Sequence, residues 1–186
     1  ELKGSSAEDI YIETGDYIQG LGTPGVGAIG GEWMVIGLAR SGRPVPSGYY
    51  DHVVNYVREN INGEERLHSA KSSDNSRLIL ALTAIGKDVT NVGGHNLLKG
   101  LNDMSYITTQ GINGAIWTLI ALDSHNYEPV GITKANLIDA ILAAQNSDGG
   151  WSTSPTSGAA ASEVDMTAMA IQSLAPYYSK DTTVQS

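Results

Sequence analysis

Four stretches of the chain align with one another without a gap: residues 31–39 (GEWMVIGLA), 78–86 (LILALTAIG), 115–123 (AIWTLIALD) and 167–175 (TAMAIQSLA). One column of this alignment reads Leu38, Ile85, Leu122, Leu174, and the column three positions earlier reads Val35, Leu82, Leu119, Ile171. Large apolar residues at i and i+3 mark one face of a helix. The position just before the first column is small in every copy: Gly37, Ala84, Ala121, Ser173. A small residue beside an apolar stripe lets a neighbouring helix approach closely, which predicts helix–helix contact at these four sites. The copies stand between 37 and 52 residues apart, the length of a helix pair with its loops.

Amphipathic stretches lie between them. Tyr50, Val53, Val57 and Ile61 follow helical spacing, with Asp51, Asn55, Arg58 and Glu59 turned elsewhere. Leu137, Ile138, Ile141, Leu142 and Gln145 do the same after Thr133, an expected N-cap. Leu97, Leu98 and Leu101 form a shorter version, and Ile10, Ile12, Tyr17 and Ile18 a looser one. The order is therefore an amphipathic helix followed by a more uniformly apolar one, four times over. One-faced helices lie outside and helices apolar all round lie inside, so the pattern predicts an inner layer wrapped by an outer one. Connections are rich in Gly, Pro and Ser, as in residues 20–31, 42–48 and 147–162, and no useful strand alternation occurs. The expected fold is all-α, built from helical hairpins, a single unit over residues 1–186 with a tail from about residue 179.

Composition narrows the function classes. With 41% hydrophobic residues the chain can build a sizeable core. A net charge of −9 without a basic cluster disfavours nucleic acid and anionic membrane as partners, and no apolar run is long enough to span a bilayer. Cysteine is absent, which excludes disulfides, thiolate metal sites, Cys nucleophiles and internal thioesters. The first residue is Glu1, so a processed chain or an excised piece is expected.

Residues 145–151 read QNSDGGW. An outer helix ends at Gln145, Asp148 and two glycines make a tight turn, and Trp151 folds back over the helix end. Residues 29–33 (IGGEW) read as a degenerate second copy. The motif resembles the repeat signature of the terpenoid cyclase and protein prenyltransferase superfamily, and the alternation of helices is similar to its (α/α) toroid, a ring of inner helices inside a ring of outer ones. More narrowly, the strings IGGEWMVIGLARSG, SRLILALTAIGKDVTNVGG, QGINGAIWTLIALDS and QNSDGGW look like toroid modules of bacterial cell-surface proteins related to transcobalamin-type cobalamin carriers. This implies a secreted or cell-surface bacterial protein, with a small-molecule ligand or a downstream domain as partner. Only about four of the six hairpins of a complete toroid are present, so the ring is expected to be open, with an exposed apolar edge or self-association near the termini.

The superfamily's catalytic machinery is not matched. Prenyltransferases hold zinc with Asp, Cys and His, whereas this chain lacks Cys and its four histidines share no ligand spacing. The acidic DxDD segment of terpene cyclases has its nearest counterpart at Glu163, Val164, Asp165 and Met166, where Ser162 and Asp165 are better read as a helix capping box. The thioester segment of complement-type domains falls at Gly30, Gly31, Glu32 and Trp33, without Cys or Gln. No cofactor or metal is implied. Inner-helix N-termini point toward the cavity mouth in such toroids, and there the resemblance places Glu32, Trp33, Asp74, Asn75, Arg77, Asn113, Trp117 and Asp165. Several have plainer roles open to them: helix-dipole complementation for Glu32, a surface i,i+3 ion pair for Asp74 and Arg77, and core packing for both tryptophans. The expected function is a non-catalytic binding or adhesion module, with a corrinoid-like small molecule at the toroid mouth. A terpene cyclase-like enzyme and a structural spacer of a surface protein are the alternatives.

Overall fold

The computed structural model describes residues 6–153, 162–180 and 183–184. Helical segments make up the regular structure of the described residues, which contain no strand beyond an isolated bridge between Val92 and His95. Eight α-helices follow in order: α1 (Ala7–Gly20), α2 (Ile29–Arg40), α3 (Tyr49–Asn60), α4 (Ser72–Ala84), α5 (Met104–Ile107), α6 (Ile112–Asp123), α7 (Lys134–Ala143) and α8 (Val164–Leu174). A 3-10 turn over Leu97–Leu101 precedes the short α5, and together they occupy the third amphipathic stretch.

The four repeated segments form α2, α4, α6 and α8, and they stand in a row in sequence order. α2 packs on α4, α4 on α6, and α6 on α8. The alternating amphipathic helices accompany them, α1 against α2 and α7 against α6. α3 buries Tyr49, Val53 and Val57, the i, i+4, i+8 stripe of its apolar face. α7 likewise buries Leu137, Ile138 and Ile141. α1 buries none of its residues.

Local signals act as the chemistry predicts at both ends of α7. Thr133 accepts from the Asn136 backbone N–H, and the Asn136 side chain accepts from the Thr133 N–H, a closed capping box. In the QNSDGGW turn, Gln145 Nε2 donates to the Gly149 carbonyl (2.9 Å), and buried Trp151 donates from Nε1 to the Ile141 carbonyl (2.7 Å), lying back on α7. Gly149 has φ +85°, the left-handed conformation that the turn needs.

Three local expectations are corrected. The Ser162–Asp165 capping box does not form: α8 begins after Glu163, Ser162 donates to Asp148 (2.5 Å), and Asp165 accepts from the adjacent Met166 N–H. Residues 29–33 are not a second turn motif, because Gly30 and Gly31 lie inside α2. The small-residue column is uneven. Ala121 and Ser173 are buried, Ala84 is half-buried, and Gly37 is exposed with open space where a Cβ would stand. Val184 lies against the core.

Candidate functional site

The eight sequence candidates separate into two clusters and two isolated residues. The first cluster joins α2 to α4. Glu32, 1% exposed, accepts from the Gly27 backbone N–H (2.5 Å) and from Arg77 Nε (3.0 Å). Arg77 turns its other edge to Asp74 at 3.2 Å, three residues earlier on α4. Glu32 therefore does face the start of α2, but its main partner is a guanidinium from the next helix in the row. The Asp74–Arg77 pair is correspondingly not a surface pair: both side chains are largely buried.

Two tyrosines feel this cluster. Burial, reinforced by the Glu32 charge, pushes the Tyr49 phenol far above its ordinary range, and its hydroxyl has no protein partner among the described residues. Burial and then Asp74 and Glu32 raise Tyr56. Both effects favour the neutral phenol.

The second cluster joins α2 to α6. The rings of Trp33 and Trp117 meet edge to face, centroids 5.1 Å apart at 61°. Trp117 donates from Nε1 to Asn113 Oδ1, one turn earlier on α6 (3.1 Å). Because α4 stands between α2 and α6, both rings must lie on one common side of the row. Leu80 and Met169 occupy the same column of the repeat, and Ile36, Thr83 and Ile120 the column one turn on; all of them are half-buried. This face is apolar, aromatic and partly open.

The remaining candidates stand apart. Asn75 is fully buried and ties loops to α4: it accepts from the Leu67 N–H (2.9 Å) and donates to the carbonyls of Glu65 (2.8 Å) and Leu97 (3.1 Å). All of its hydrogen-bonding capacity on that side is used by the backbone, which makes its role architectural. Asp165 is exposed at the start of α8.

A separate hollow lies at the opposite ends of α2 and α4. It measures about 740 Å³ and is lined by the loop from Gly42 to Ser47 with Tyr49, Tyr50, Ala84 and Lys87. None of the eight candidates borders it. Lys87 lies over the Tyr50 ring, 4.7 Å from its centroid. Sequence reasoning missed this hollow because proline-rich loops carry no periodic signal. Among the described residues no group of three or more His, Cys, Asp or Glu side chains could hold a metal ion, and no helix is long and apolar enough to cross a membrane.

No known protein family, curated protein or solved structure matches this chain.

Proposed function

We propose that the chain is a non-catalytic binding module, an arc of an (α/α) toroid whose inner helices are α2, α4, α6 and α8, and that it works at a bacterial cell surface. The observation that carries the reading is the Trp33–Trp117 pair, half-open and held together across α4. Two indoles on one side of a helical row, with Leu80, Ile36 and Ile120 beside them, offer a broad apolar platform. Such a surface suits a flat or apolar small molecule, of which a corrinoid is one. The toroid and the cell-surface setting rest on the QxxDGGW resemblance and the repeat order, and so on analogy of fold.

An enzyme of the terpene cyclase kind would need a carboxylic acid set against an apolar cavity. Glu32 is instead ion-paired with Arg77, and Asp165 faces solvent. Those placements favour binding over proton transfer.

The test is a tryptophan-fluorescence titration and a thermal-shift screen with corrinoids, isoprenoids and glycans. Trp151 is buried against Ile141 and serves as an internal reference. A true ligand should perturb the emission of Trp33 and Trp117 and raise the melting temperature, and Trp33→Ala should abolish both effects. If binding survives Trp33→Ala and Trp117→Ala unchanged, the aromatic face is not the site.

A further inference from the structure

Along the repeat columns, burial falls away at the two ends of the row formed by the described residues. In the column Val35, Leu82, Leu119, Ile171 the first three side chains are 0% exposed and the fourth is 56% exposed. In the adjoining column Glu32, Ile79 and Ile116 are buried while Ala168 is exposed, and one turn earlier Ile112 is buried while Val164 is 89% exposed. The helices that bury these positions are those with a successor in the row. α8 has none among the described residues, so Val164, Ala168 and Ile171, at i, i+4 and i+7, form a bare stripe.

The other end shows the reverse. In the column Met34, Ala81, Thr118, Ala170 the last three are 0% exposed, and only Met34, on the helix that stands first in the row among the described residues, is partly open. The flanking columns repeat this: Gly114 and Met166 are buried where Gly30 is exposed, and Ala121 and Ser173 are buried where Gly37 is exposed. Gly30 and Gly37 both have open space at the Cβ position. α1 lies beside this face without burying a residue. It exposes Ile10, Tyr11 and Tyr17 and leaves a hollow of about 290 Å³ against Gly37 and Ser41 of its neighbourhood.

We propose that these two ends are complementary and that the chain associates head to tail, with α8 of one copy seated in the angle between α1 and α2 of the next. The occupant is chosen by continuity with the α6–α8 contact already in the row. There α6 and α8 are in contact, with Ile112, Ile116 and Leu119 buried on the first helix and Met166, Ala170 and Ser173 buried on the second. α8 offers the same large-side columns, and α2 offers the same small-side columns with two glycines in them. An interface of this kind is heterologous, so each added copy leaves a fresh stripe and a fresh socket, and assembly continues until a ring closes or a filament grows. The inference does not depend on ligand binding at the aromatic face.

The experiment is sedimentation velocity on the chain from micromolar to millimolar concentration, with two variants and their mixture. Association of the parent should grow with concentration. Ile171→Lys places a charge in the stripe and should remain monomeric, and Val164→Lys, at the most exposed position, should do the same if Ile171→Lys loses its helical circular dichroism. Gly37→Leu fills the socket where the free chain has room for a side chain, and it too should be monomeric. An equimolar mixture of Ile171→Lys and Gly37→Leu retains one intact stripe and one intact socket, so it should form a 1:1 dimer and nothing larger. A parent that stays monomeric throughout, a folded lysine variant that associates like the parent, or a mixture that stays monomeric would each overturn the proposal.

Discussion

Removing the buried charge of Glu32 should destabilise the chain more than any exposed substitution. Glu32→Gln preserves shape and lets the amide oxygen keep the Gly27 N–H. It presents no second anionic oxygen to Arg77 Nε, now 3.0 Å from a carboxylate. Breaking a fully buried ion pair costs about 3–5 kcal/mol, because the surviving charge is left uncompensated. Arg77 keeps Asp74 at 3.2 Å, a partly exposed partner, so the loss is placed below that range, at about 2–3 kcal/mol. For a chain of this size that lowers the melting temperature by roughly 5–10 °C. Urea denaturation measures it directly, as a fall in midpoint at unchanged slope. The companion variant Arg77→Met removes the orphaned charge. The double variant should therefore recover about 1–3 kcal/mol relative to the sum of the single losses. A Glu32→Gln melting curve that overlays the parent, or strictly additive losses in the double variant, would show that the pair does not hold α2 to α4.

Three further outcomes follow from the packing. Ala121→Leu, at a fully buried position on α6, should cost about 1–3 kcal/mol by overpacking, whereas the aligned Ala84→Leu should be nearly neutral because Ala84 borders the large hollow; equal losses in chemical denaturation would contradict the assigned burial. Asn75→Ala removes the acceptor of the buried Leu67 N–H and the donor to the Glu65 and Leu97 carbonyls and should cost about 2–4 kcal/mol, with faster hydrogen exchange at the Leu67 amide as the local readout. Alkaline pH should unfold the chain through its tyrosines. Burial raises Tyr106 to about 12 from 10.0, and burial together with Asp123 raises Tyr177 further. Their folded values exceed the unfolded one, so the stability they contribute is complete below pH 10 and is lost as pH rises through about 12. Tyrosinate absorbance at 295 nm should then rise together with loss of helical circular dichroism; full ionisation with the helices intact would refute this.

The sequence by itself determined the helices, their alternation and many of their ends. A 3.6-residue period is a local property, so Val53 and Val57 on α3, or Leu119 and Leu122 on α6, declare their face without reference to anything distant. Thr133 with Asn136, and Gln145 with Gly149, likewise close bonds over three or four residues. Tertiary structure decided who meets whom. Glu32 and Arg77 are 45 residues apart, and Trp33 reaches Trp117 past an intervening helix; neither separation is encoded in a local pattern. It also split the small-residue column. Ala121 and Ser173 are buried because a helix precedes theirs in the row, while Gly37 is exposed because its helix stands first. Ala84 and Ala121 share a residue type, a column and a preceding helix, yet Ala84 is half-buried beside the hollow and Ala121 is buried, since periodicity fixes the direction a side chain takes and only packing supplies what it finds there.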